Sequence, residues 1–419
     1  MQTVIPRSPL GPWLSREGVA QPGAAENCAS DGTNCASDGT ENDAGATSNR
    51  ARTYGFGLRP GPFATDSTRV PPAPPTIRRD AAAAPYPDRA ADRDRWILAR
   101  RGPRPAHDLR QPHAAFVETE RAANGEIVPV LTVLLTSREC PWRCLMCDLW
   151  QFTVEGNIPP DAIAGQLRAA LATTAGATPR PRQLKLYNGG SFFDPRAIPP
   201  ADYPAIAAQA VGFDRVIVEC HPTLVGRRTL AFQDSLATQA AAANRVTPAL
   251  EVAMGLETAH PGVLARLNKR LTLDGFRRAA DFLREHGLAL RVFILVKPPF
   301  LSEPEALEWA CRSLDFAFDG GASVAVLIPP RPGNGALEAL AAAGDFAPPK
   351  FATLEAALAY GVGLRRGRVF ADLWDLERFA DCPACFAARQ ERLVRTNHEQ
   401  IVQAGPACPV CGSAQPAAL

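Results

Sequence analysis

The sequence predicts an α/β fold: six βα units in series, curled into an open, partial (β/α)6 TIM-like barrel. A disordered N-terminal tail precedes it, and a four-cysteine, zinc-ribbon-like extension follows. Three observations predict this. Apolar runs rich in branched residues recur six times, amphipathic helical patterns separate them, and both ends of the chain break the alternation. The expected divisions are a tail over 1–90, the barrel over 91–345 and the extension over 346–419.

The tail contains Asn27-Cys-Ala-Ser-Asp-Gly-Thr33 followed at once by an identical copy, Asn34 to Thr40. A tandem heptad of polar and turn residues cannot bury enough apolar surface to offset its ordering entropy, so Cys28 and Cys35 read as incidental. Arg69 to Pro87 is proline-rich and extended in character.

The expected strands are Val128–Thr136, Gln183–Tyr187, Arg215–Cys220, Ala249–Leu256, Ala289–Val296 and Ser323–Ile328. Between them lie amphipathic segments at Asp161–Thr174, Pro204–Val211, Leu230–Ala243 and Asp274–His286. In the last, Phe276, Ala279, Ala280 and Phe282 or Leu283 share one face, and Gly287 suits the stop. Ser302-Glu-Pro-Glu305 has the form of a capping box, opening a helix toward Phe318. A closed barrel needs eight such units; six give an open one. Ligands of parallel sheets bind beyond the carboxyl ends of the strands.

Composition narrows the class. The chain has 419 residues, a net charge of +2 and no apolar run of transmembrane length, so a soluble, cytoplasmic protein without a membrane partner is expected. All but four of its 45 Lys and Arg residues are arginine, which a GC-rich genome also produces. The 11 cysteines sit in spaced clusters, a pattern of metal binding in a reducing compartment rather than of disulfides.

The first cluster is Cys140-Pro-Trp-Arg-Cys144-Leu-Met-Cys147, directly after the first strand. Clusters used for electron transfer commonly take four thiolates. A three-thiolate loop leaves one iron with an open position, where chemistry occurs. Half a zinc site is the alternative, but no partner knuckle lies nearby.

The remaining strand ends supply further candidates. The second ends at Asn188-Gly189-Gly190-Ser191, where paired glycines permit close backbone approach. The third ends at Glu219-Cys220-His221, the fourth at Glu257 and the fifth at Lys297. Glu257 follows a glycine and ranks above Glu219 as a carboxylate for ribose hydroxyls or an ammonium. His221 reads as a base or a satisfied turn residue. Lys297 reads as an anion contact or half of an ion pair, and Asn268-Lys269-Arg270 adds a second basic stretch.

Cys382-Pro-Ala-Cys385 and Cys408-Pro-Val-Cys411-Gly412 are paired knuckles with 22 residues between them. Four thiolates at this spacing suit zinc, with an auxiliary iron–sulfur cluster as the alternative. Arg389, Arg392 and Arg395 between them form either a solvated face or a phosphate-facing stripe.

These motifs resemble the radical S-adenosylmethionine superfamily. Lys185 to Pro195, Glu251 to Thr258, Leu267-Asn-Lys269 and Leu295 to Glu303 resemble in particular the archaeosine-synthase radical enzymes of archaea, from about Trp96 to Gly412. The resemblance implies a [4Fe-4S] cluster on Cys140, Cys144 and Cys147, with S-adenosylmethionine chelating the open iron. Cleavage of that cofactor would yield a 5′-deoxyadenosyl radical. Met146, where the family often has an aromatic residue against adenine, Asn188 to Ser191, Glu219, Glu257 and Lys297 would bind the cofactor. An external reductant of flavodoxin or ferredoxin type would be a partner, and tRNA the substrate. Family members act with a lysine transferase and break a C–N bond in a lysine adduct on a deazaguanine base. A radical enzyme acting on a free metabolite or peptide, and a non-catalytic zinc-ribbon RNA-binding protein, are the other readings. The sequence leaves the oligomeric state open.

Overall fold

The computed structural model describes residues 85–412. The tandem heptads, Cys28 and Cys35 lie outside them, as do residues 413–419. An eight-stranded sheet carries the fold. Its strands are β1 (Ala114–Arg121), β2 (Ile127–Leu135), β3 (Gln183–Asn188), β4 (Arg215–Cys220), β5 (Ala249–Glu257), β6 (Ala289–Leu295), β7 (Val324–Ile328) and β8 (Arg368–Ala371). They lie side by side in chain order, with β1 antiparallel to β2 and every other pair parallel. The six expected strands are β2 to β7. β1 and β8 extend the sheet at its two edges.

Helices connect the strands: α1 (Ala90–Leu98) precedes β1, α2 (Ala162–Thr173) follows β2, α3 (Tyr203–Ala210) follows β3, and α4 (Arg227–Ala242) follows β4. α5 (Pro261–Arg266) and α6 (Leu273–Glu285) follow β5, α7 (Glu303–Asp319) follows β6, and α8 (Ala336–Ala342) and α9 (Phe351–Gly363) follow β7. α10 (Pro383–Glu399) comes after β8. Local signals operate as expected. Thr272 Oγ1 accepts from Gly275 N (3.0 Å) to open α6, Gly287 leaves it at φ 66°, and Glu305 accepts from Ser302 N (2.9 Å) at the start of α7.

Alternation along each strand divides the core into two layers. Val133, Leu186, Val218, Val252, Val292 and Leu327 pack outward against the helices. Leu134, Tyr187, Ile217, Ala253, Phe293 and Val326 point into the lumen with Cys144 and Met146.

At the amino-terminal end of the lumen the side chains are charged. Arg291 on β6 reaches Glu120 on β1 (2.5 Å) and Glu251 on β5 (2.6 Å), while Lys185 on β3 reaches Glu118 (2.9 Å) and Glu120 (2.7 Å). β1 and β6 are separated by four strands in the sheet order, so these bonds require the sheet to curl. Across the gap between its two edges, the Arg368 side chain on β8 donates to the Arg121 carbonyl on β1 (2.7 Å).

Residues 346–371, assigned from sequence to the C-terminal extension, supply α9 and β8 to the barrel itself. The link between the cysteine knuckles is the 17-residue helix α10, and the described residues between them contain no strand.

A candidate cluster loop and a four-thiol metal site

The loop after β2 crosses the carboxyl end of the lumen and is pinned from three sides. Leu145 N donates to Leu267 O (2.9 Å). Asn268 Nδ2 donates to Arg143 O (2.7 Å), and Asn334 Nδ2 to Leu145 O (2.8 Å). Asn334 is itself fixed, because its Oδ1 accepts from Ala336 N and Leu337 N at the start of α8 (both 2.9 Å). From the N-terminal side, Glu139 pairs with Arg101 (2.7 Å), Arg104 (2.6 Å) and Arg143 (3.3 Å). A loop tied through its own backbone holds its side chains without needing them for support.

Cys144 is buried; Cys140 and Cys147 are half-buried. Burial pushes the Cys147 thiol up to about 11, and burial with Cys144 and Cys147 nearby pushes Cys140 well above the ordinary thiol range. Such thiols ionise only against a cation. The donor set therefore fits an iron–sulfur cluster: three sulfurs from one loop, with no fourth cysteine in the motif to close the last iron position.

Gly189 and Gly190 let the end of β3 press onto this loop. A Cβ on Gly189 would lie 2.5 Å from Thr153 Cγ2 and 2.7 Å from Leu149 O; one on Gly190 would lie 2.6 Å from Arg138 O and 2.8 Å from Ala197 Cβ. The glycine pair thus has a packing role that its sequence also permitted. Gly190→Ala should destabilise the chain by about 1–3 kcal/mol and lower its thermal midpoint by several degrees. An unchanged midpoint would show that the loop can give way. Asn188, with its amide oxygen turned to the loop, accepts from Gly190 N (3.2 Å), Ser191 N (3.3 Å) and Ser137 Oγ (3.0 Å). Ser191 Oγ accepts from His221 N (3.0 Å). Both side chains are therefore engaged in shaping the strand end.

His221 is a turn residue with both ring nitrogens committed. Nε2 donates to Lys269 O (3.0 Å), so Nδ1 is the acceptor that meets Thr223 N (3.3 Å). Burial, reinforced by Lys269, lowers its pKa to about 3, leaving it neutral at physiological pH. Its ring stacks on Trp142 of the cysteine loop, 3.7 Å between centroids and 6° from parallel. The sequence offered no signal for this pairing.

Glu257 and Lys269 form an ion pair of 2.7 Å with both side chains fully buried. Burial alone would lower the Lys269 pKa; Glu257, with Cys144 and Glu219 also close, raises it instead. Glu219 is fully buried and shares the lumen-facing parity of Ile217. Met146 is fully buried in the lumen cluster beneath the loop. Lys297, at φ 59°, pairs with Glu303 (2.6 Å), which realises the ion-pair alternative. Cys144, Met146, Glu219, Glu257 and Lys269 thus gather around the loop, while Lys297 is tied to α7.

The second site is at the start of α10. The sulfurs of Cys382, Cys385, Cys408 and Cys411 all lie within 4.8 Å of one another. Cys382 and Cys408 are 3.9 Å apart, Cys385 and Cys411 3.7 Å. A tetrahedral ion with bonds of about 2.3 Å requires sulfur–sulfur edges of about 3.8 Å. The arrangement therefore fits a single ion. Arg389 and Arg392 are neither a solvated face nor a phosphate stripe. Both are buried or nearly so against Glu355 of α9 (2.5 and 2.6 Å), and Arg395 lies 3.6 Å from Glu399.

No protein-family profile matches the chain. Archaeosine synthase subunit beta of Methanosarcina acetivorans is 26% identical over 248 residues, covering 57% of this chain and 68% of that protein. The subunit of the same name from Thermococcus kodakarensis is 27% identical over 175 residues, 41% of this chain and 51% of its own length. Among solved structures, Elp3 of Methanocaldococcus infernus matches with a TM-score of 0.40 at 14% identity, covering 57% of this chain and 59% of that one. Methylornithine synthase matches with a TM-score of 0.40 at 13% identity, covering 57% and 64%. By sequence, then, the chain is similar to archaeosine synthase subunit beta.

Proposed function

We propose that this chain is a radical S-adenosylmethionine enzyme that breaks a C–N bond in the modification of a tRNA nucleobase. One observation carries the chemistry: a three-cysteine loop pinned across the carboxyl end of a partial barrel, with no fourth cysteine in its motif. Its likeness to archaeosine synthase subunit beta supports the substrate class.

Cys140, Cys144 and Cys147 would hold a [4Fe-4S] cluster. Bound there with S-adenosylmethionine, it supplies one-electron cleavage of the cofactor and hence hydrogen-atom abstraction from the substrate. The protein's contribution is placement. Arg143, Leu145 and their partners fix the loop, and Met146 closes its underside. The end of β3, Asn188 to Ser191, sets the height at which a ligand meets the loop. Glu219 and Glu257 are the carboxylates that would receive the cofactor's hydroxyls and ammonium, and Lys269 holds Glu257 ionised in a buried site. Lys297 orients the neighbouring loop through Glu303. The electron comes from an external flavodoxin- or ferredoxin-type donor in the cytoplasm. The four C-terminal thiolates hold zinc.

The test is anaerobic production of 5′-deoxyadenosine by the reconstituted chain, with and without bulk tRNA. Formation that rises several-fold with tRNA supports the proposal. Formation indifferent to tRNA, with no protein–tRNA association at low salt, replaces the substrate with a free metabolite or peptide.

A further inference from the structure

We propose that the four-thiolate site staples α10 in place, and that α10 is the wall closing the open side of the barrel over a cavity in the lumen. This rests on the zinc reading given above. A partial barrel has two free strand edges, and free edges must be covered. Here the last turn of α10 covers one edge and reaches the other. Asn397 accepts from Ala371 N and donates to Ala371 O on β8 (both 2.9 Å). Gln400, just beyond the helix, does the same for Val369, accepting at 2.7 Å and donating at 2.8 Å. Two side-chain amides thus imitate the next strand of the sheet. On the opposite edge, Arg121 of β1 donates to His398 O (2.8 Å), and Thr119 Oγ1 meets His398 Nε2 (3.1 Å).

Behind this seam is a cavity of about 280 Å³. It is lined by the Lys185–Glu120–Arg291 ion cluster, by Phe293 and Trp374, and by Asn397 and His398 of α10. The wall is held at its far end by metal. Cys382 and Cys385 lie at the start of α10, and Asn397 is 12 residues beyond Cys385, about 18 Å along the helix. Cys408 and Cys411 come from the segment that returns past the helix, so an ion binding all four locks helix and return segment together. Because ion binding to thiolates is folding free energy, removing the ion releases that end of the helix. The Glu355 pairs with Arg389 and Arg392 remain as a partial hold.

The test is hydrogen exchange on the full chain, preceded by metal analysis. Wild type should carry one zinc; absence of zinc, or iron held by these cysteines, overturns the zinc reading irrespective of the seam. Cys411→Ser, with Cys385→Ser added if the single variant retains the ion, removes the metal. Peptides covering 368–371 and 114–121 should then exchange at least tenfold faster, while β3 to β6 remain as protected as in wild type. Protection at both edges unchanged after loss of the ion overturns the staple and leaves the zinc reading intact. Protection lost equally across β3 to β6 also overturns it, because the ion then supports the whole fold rather than one wall.

Discussion

Cys144→Ala should reduce 5′-deoxyadenosine formation to the level seen without protein, and the iron retained after reconstitution should fall with it. The expectation follows from the donor count. Three thiolates are the least that leave a single open iron, and removing one opens a second position with no other cysteine in the motif to fill it. Cys144 is the buried member of the three, in the lumen cluster with Met146 and Tyr187. Its loop is fixed by Asn268 and Asn334 through backbone atoms on either side, so the alanine should leave the fold unaltered. Circular dichroism and thermal midpoint should match wild type. A folded Cys144→Ala chain that binds iron and still cleaves the cofactor would remove the loop from the mechanism.

Arg291→Met should lower stability by about 3–5 kcal/mol, the cost of removing the central cation of a buried ion cluster and leaving Glu120 to Lys185 and Glu251 to Arg215. The side chain is 2% exposed and bridges Glu120 and Glu251 from opposite sides of the lumen. The loss should depend on pH with a definite sign. Burial by itself would raise the Glu120 pKa, but Arg291 and Lys185 together lower it below the usual carboxylate range. A depressed carboxyl contributes stability above its unfolded value, and that contribution is lost as pH falls. The wild-type advantage should therefore shrink as pH falls below the ordinary carboxylate value of about 4.5, because Glu120 of the variant, left with Lys185 alone, takes up a proton more readily. Denaturant unfolding of both proteins across that range measures it. A variant as stable as wild type at pH 7 would mean that the cluster is hydrated rather than buried.

Much of the barrel was legible because its strands are continuous runs of branched apolar residues, the composition a parallel strand buried on both faces demands. β1 was not legible for the converse reason. Its lumen-facing residues include Glu118 and Glu120, whose partners Lys185 and Arg291 arrive much later in the chain. β8 has four residues, too few for a period. The cysteine loop and the knuckles were legible because their cysteines recur at short, fixed spacings. Pairings made by tertiary folding were not. Trp142 on His221, Lys269 on Glu257 and Arg389 on Glu355 join residues that no local pattern connects. The last of these turned an expected surface stripe into the buried anchor of α10.

The most direct test of the central claim is low-temperature electron paramagnetic resonance of the anaerobically reconstituted, reduced chain, before and after S-adenosylmethionine is added. The account predicts a reduced four-iron signal whose anisotropy changes when the cofactor occupies the iron that no cysteine holds. A cluster signal indifferent to the cofactor, or no cluster in a folded chain with all three loop cysteines intact, would contradict it.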